Sequence, residues 1–164
     1  MASALVLGGC SSDDAPAPAV ETPADIAGDY LVDLVSLDND CETMSMNWME
    51  GGVAEDVPFS IAQSGVHISA ETMGGAAIAF LALTGSISFE GEIHASHFLL
   101  VNTGTRVYDF GDCSYTINAT VEGDLDGDTI TGTLVYSPVI GNNPACEAYS
   151  CRAEQSFTGA RPAK

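Results

Sequence analysis

The chain has 164 residues, 46% of them hydrophobic, enough for one domain with a real core. Its charge is one-sided: 23 acidic residues against 4 basic ones give a net −19 at pH 7. Such a chain repels a phosphate backbone, which excludes nucleic acid as a partner, and no apolar run approaches the roughly 20 residues of a membrane span.

Residues 2–10 read ASALVLGGC, a short apolar run ending in Leu7-Gly8-Gly9-Cys10. A polar, proline-bearing stretch follows. This arrangement resembles the lipobox of bacterial lipoproteins. In that family the signal peptide is cut before the cysteine, which then carries the lipid. The resemblance implies that residues 1–10 are the remnant of a signal peptide and that Cys10 is lipidated. Membrane attachment would then run through that anchor. Ser11, standing where an Asp would retain the protein in the inner membrane, implies an outer-membrane address facing the periplasm or cell surface. Residues 11–25 hold Pro16, Pro18 and Pro23 and few bulky apolar side chains. They are expected to form a flexible tether, about 45 Å long if polyproline-like, at ~3.1 Å per residue. The folded domain is expected over residues 26–164.

Within that domain the hydrophobic period is two, the mark of half-buried strands. Gly28 to Leu37 is the first strand, with Tyr30, Val32 and Leu34 on one face and room for a bulge. Asn39 to Glu55 is a loop holding the one tryptophan, Trp48. Val57-Phe59-Ile61 and Val66-Ile68-Ala70 alternate on either side of Ser64-Gly65, a turn that pairs Ile61 with Ile68 and Phe59 with Ala70. Ala76 to Leu83 is apolar throughout, and the glycines flanking it favour a strand. Ile87 to Ala95 alternates again, and Phe98 to Val101 continues the pattern.

The strongest signal is Cys113 to Ser137. Cys113, Tyr115, Ile117, Ala119 and Val121 are apolar with polar residues between them, and the parity switches to Ile130, Leu134 and Tyr136 after the turn. Asp126-Gly127 reads as a type I′ hairpin turn, pairing Val121 with Gly132, Ala119 with Leu134 and Ile117 with Tyr136. Ser137 to Pro144 is a loop, and a last strand runs from about Cys151 to Gly159 with Phe157 inward.

About eight short antiparallel strands without a convincing helix must close or expose an edge. The expected fold is all-β, an up-and-down meander closed into a small barrel, with a two-sheet sandwich as the alternative. Gly28-x-Tyr30 on the first strand and Arg161 after the last resemble the lipocalin and calycin pattern. There an arginine from the chain end covers an aromatic that follows a glycine on the first strand, usually tryptophan rather than tyrosine.

Cys41, Cys113, Cys146 and Cys151 are an even set in an exported chain, so disulfides are expected. Three pairings are possible. Cys41–Cys113 with Cys146–Cys151 is the favoured one.

No nucleophile elbow, phosphate loop or metalloprotease helix is present, so a non-enzymatic domain without a cofactor is expected. The leading expectation is a binding or interaction barrel with an open interior for a small apolar ligand. Its candidate wall residues are Tyr30, Trp48, Phe59, Phe80, Phe89 and Tyr136. One alternative is copper handling by Met44, Met46 and Met49, whose soft thioethers suit Cu(I). The other is an enzyme with an unrecognised site. His94 and His97 form H-x-x-H, which on one strand points to opposite faces.

Overall fold

The computed structural model describes residues 22–41, 48–141 and 143–162. The strands are β1 (Gly28–Asn39), β2 (Val53–Ser64), β3 (His67–Thr72), β4 (Ser88–His94), β5 (His97–Asn102), β6 (Tyr108–Phe110), β7 (Cys113–Asp126), β8 (Thr129–Ile140) and β9 (Ala153–Ala160). One α-helix, α1 (Gly74–Leu83), and a 3-10 helix (Pro144–Tyr149) complete the described elements.

All pairings are antiparallel. The order β5-β4-β3-β2-β1-β9-β8-β7 closes because β5 also pairs with β7, giving an eight-stranded barrel. Closure leaves no open edge in that ring, which solves the edge problem that alternating strands pose. β6 is an extra strand on the start of β7. Tyr108, Phe110, Tyr115 and Tyr149 stack there, with ring centroids 5.3–6.1 Å apart.

The period of two works as expected. On β7 the residues from Cys113 to Val121 alternate buried and not. β1 carries a bulge between Val32 and Leu34, which explains its mixed pattern.

Both hairpins, however, are paired two residues away from the expected register. Val121 pairs with Leu134 and Ala119 with Tyr136; Ile61 pairs with Ala70 and Phe59 with Thr72. The two-residue loops are Gly127-Asp128 and Gly65-Val66, and only their glycines have positive φ, 60° and 66°. Positive φ at the first central position alone fits a type II′ turn rather than type I′. A shift of two keeps every side chain on its face, so the buried rows survive the change of partner. β8 also runs on to Ile140, through much of the expected loop.

Gly123 and Gly132 are paired across β7 and β8. A Cβ on Gly123 would lie 2.9 Å from the Phe157 ring and 3.0 Å from the Phe98 ring. Gly123 makes room for those two rings, and Gly132 for the close approach of the β7 backbone, where a Cβ would clash with the Glu122 carbonyl.

Residues 76–83 are helical, not a strand. β3 pairs directly with β4, Ala70 opposite Phe89, so no gap is left for a strand between them. The segment crosses the barrel end instead. Its alanines at 76, 77, 79 and 82 are strong helix formers. Thr84 closes the helix, its hydroxyl donating to the Phe80 carbonyl at 3.0 Å. The Ala82 carbonyl accepts from the Arg106 guanidinium at 2.6 Å, and the Leu83 carbonyl from the Tyr108 hydroxyl at 2.9 Å. These are the orphan acceptors of a helix C-terminus, met by a cation where the dipole favours one.

The disulfides are Cys41–Cys151 and Cys113–Cys146, not the favoured pairing. β1 and β9 are neighbours and Asn39 pairs with Ala153. Cys41 and Cys151 each lie two residues beyond that pair, so they meet. Cys113 opens β7, and the 3-10 helix that follows β8 lays Cys146 over it.

The barrel end away from α1 is closed by the incoming chain. The Ala24 amide donates to the Ala95 carbonyl at 2.7 Å, and the Ile26 amide to Gln63 Oε1 at 2.8 Å. Tyr30 is 1% exposed there. Its hydroxyl donates to the Ile26 carbonyl and accepts from Arg161 Nε at 2.8 Å. The Arg161 guanidinium lies 5.4 Å from the Tyr30 ring centre, and its side chain passes 3.3 Å from where a Gly28 Cβ would stand. Gly28, Tyr30 and Arg161 thus meet in space as the lipocalin resemblance implies.

Candidate binding site at the barrel mouth

The barrel interior is largely filled. A cavity of about 40 Å³ remains, walled by Phe59, Phe89, Val121, Leu134 and Phe157 among others, with Thr72 as its one polar side chain. That volume is close to that of a single water molecule, too small for a ligand body. The open interior expected from the sequence is therefore not inside the strands.

The larger apolar space lies at the mouth, under α1. It measures about 350 Å³ and is lined by Leu34, Trp48, Val57, Phe80, Tyr136 and Gln155, among others. Leu34, Val57 and Phe80 wall both spaces, so the small cavity continues the mouth inward.

Of the six candidate wall residues, five join in one chain of rings. Trp48 lies 5.2 Å from Tyr136, Tyr136 5.7 Å from Phe80, Phe80 5.3 Å from Phe89, and Phe89 5.8 Å from Phe59. Such centroid spacings are those of favourable tilted and edge-to-face pairs. Phe80 reaches the site from α1 rather than from a strand. Tyr30 does not join; it plugs the opposite end.

The polar groups here are few. Trp48 Nε1 and Thr72 Oγ1 are buried and have no hydrogen-bond partner. Unpartnered buried donors are uncommon in folded proteins, because each forfeits its hydration. The Tyr136 hydroxyl reaches Gln155 Oε1 at a long 3.5 Å, while Gln155 Nε2 donates to Ser36 Oγ at 3.2 Å. Burial pushes the Tyr136 phenol well above its ordinary pKa. The site therefore offers aromatic and aliphatic surface, with no ionised group on its lining.

Around the mouth, α1 exposes apolar side chains. Ile78 is 72% exposed and Leu81 56%, with Met73 beside the helix start. The N-terminus of α1 has no side-chain cap, and Gly74 there has a φ of 62°. The helix start is held by its backbone instead, the Met73 amide donating to the Pro58 carbonyl at 3.0 Å. Neither α1, Thr72 nor Gln155 was singled out by the pattern of the sequence; the alanine run was the available signal.

The remaining sequence candidates disperse. Met44, Met46 and Cys10 lie outside the described residues, and Met49 is exposed. Among the described residues, one group of potential metal donors already converges: Asp40, Cys41 and Cys151. Its sulfurs are joined in a disulfide and give no thiolate. No family model, curated protein or solved structure matches this chain.

Proposed function

We propose that this chain is a lipocalin-like binding domain, lipid-anchored outside the cytoplasm through Cys10, which takes a small apolar ligand at the mouth under α1. The observation that carries the proposal is the apolar space of about 350 Å³ walled by Trp48, Phe80 and Tyr136. Its size falls within the roughly 300–1,000 Å³ of small-molecule pockets. A ligand with an apolar body would cover Trp48, Phe80 and Tyr136. The small cavity below would admit no more than a methyl-sized extension.

The anchor and the mouth are compatible. The chain enters at the end opposite α1, beside the β4–β5 turn. A lipid on Cys10, reached through that tether, would leave the mouth unobstructed by the entering chain.

Trp48 is the chain's single tryptophan, so its fluorescence reports this site alone. Titration with a series of medium-chain fatty acids and their methyl esters should give a saturable spectral change. The esters keep the carbonyl acceptor while losing the charge. Ala76→Phe, which fills the mouth from α1, should abolish that change. An emission spectrum unmoved by every member of the series, or moved equally in Ala76→Phe, would sink the proposal.

A further inference from the structure

We propose a second site, independent of the mouth: a surface site for one divalent transition-metal ion of the zinc class, held by His94, His97 and Glu92 on the outer face of the barrel. All three histidines of the chain, His67, His94 and His97, lie on the adjacent strands β3, β4 and β5. His94 and His97 do not point to opposite faces, because the chain turns between them. They are direct cross-strand partners. Both flank inward residues, Ile93 and Phe98, each 0% exposed, so both imidazoles project outward.

The turn that sets them side by side is held in a costly shape. Ala95 has a φ of 52°, where a Cβ is disfavoured. The turn is clamped from both sides, since the Ala95 carbonyl accepts from the Ala24 amide at 2.7 Å and the Ser96 carbonyl from the Leu125 amide at 2.9 Å. The two backbone positions are thus fixed before any ion arrives.

Carboxylates surround them at ligand spacing. His94 Nε2 is 3.2 Å from Glu92 Oε2, and His97 Nε2 is 3.3 Å from Glu122 Oε1. Two ligands of a tetrahedral zinc, bound at ~2.0–2.1 Å, stand about 3.3 Å apart. His97 Nδ1 lies 3.2 Å from Asp124 Oδ1, the carboxylate–imidazole contact that orients a ligating histidine. His67 stands at the rim, 3.5 Å from Glu92. The described arginines are engaged elsewhere: Arg106 with Ala82, Arg152 with Glu154, Arg161 with Tyr30 and Asp128. In this conformation the donors stand as two pairs, His94 with Glu92 and His97 with Glu122, and binding one ion requires the exposed imidazoles to turn toward each other. Mixed imidazole and carboxylate donors favour zinc over calcium or magnesium, which take oxygen.

The test is a zinc titration of the untagged full chain carrying Cys10→Ser, followed by calorimetry and by the three imidazole proton resonances. The expected result is one zinc per chain, with the His94 and His97 resonances moving together and calcium at millimolar level moving neither. His94→Ala and His97→Ala should each weaken binding about tenfold or more, and His67→Ala less than about threefold. Absence of binding at about 1 mM zinc, unchanged affinity in the doubly substituted chain, or a response confined to His67 would each overturn the proposal.

Discussion

Tyr136 shows how one buried polar group sets a condition on the whole chain. Burial raises its phenol, and the same desolvation raises Tyr115 and Tyr30, the last opposed in part by its hydrogen bond to Arg161. A phenol raised in the folded state holds its proton where the unfolded chain would release it. Its contribution is intact below the ordinary tyrosine pKa, about 10, and is lost as pH rises beyond that. Urea unfolding between pH 8 and pH 12 should therefore show stability falling from about pH 10 upward. Tyr136→Phe should flatten that fall. Arg161 is the second such residue. It bonds the Tyr30 hydroxyl, lies over the ring and donates to the Asp25 carbonyl. Arg161→Ala should cost about 1–3 kcal/mol in urea unfolding, and Arg161→Lys should recover little of it, since a point charge cannot make the forked contact.

At the scale of elements, α1 and the barrel wall differ in how they are held. The strands are paired on both sides around the ring. α1 buries Phe80 alone and is fastened at its C-terminus by Arg106, Tyr108 and Thr84. Removing those donors frees carbonyls that the helix cannot satisfy itself. Amide exchange over residues 77–83 should quicken at least about tenfold in the Arg106→Ala, Tyr108→Phe double variant, with β7 and β8 unchanged. Equal acceleration in the strands would mean that α1 is part of the global cooperative unit rather than a separable cover.

For the molecule as a whole, the disulfides fasten the mouth end. Cys41–Cys151 joins residues 110 apart and Cys113–Cys146 residues 33 apart. In the chain-entropy model such loops contribute about 5 and about 4 kcal/mol. Thermal unfolding of Cys41→Ser with Cys151→Ser should give a lower Tm than Cys113→Ser with Cys146→Ser. The reverse order would place the stabilisation in local packing around the stacked tyrosines, not in loop closure.

The alternation from Cys113 to Tyr136 was enough to determine an antiparallel hairpin with one buried face, because one-sided burial imposes a period of two. That the sheet closes into a barrel and not a sandwich was decided by the pairing of β5 with β7. The choice of inward residues followed, and so did the even cysteine set. Other features depended on contacts distant in the chain. The glycines at 65 and 127 are compatible with more than one turn type, and only the paired strands decide which residue occupies the first central position. Residues 76–83 have no periodicity to separate helix from strand; the direct pairing of β3 with β4 excludes a strand there. Cys41 meets Cys151 because β1 and β9 are neighbours in the closed ring, which no spacing in the sequence encodes. His94 faces the same way as His97 because a turn lies between them. The mouth, formed by α1, Trp48, Tyr136 and Gln155, exists only once the ring has closed.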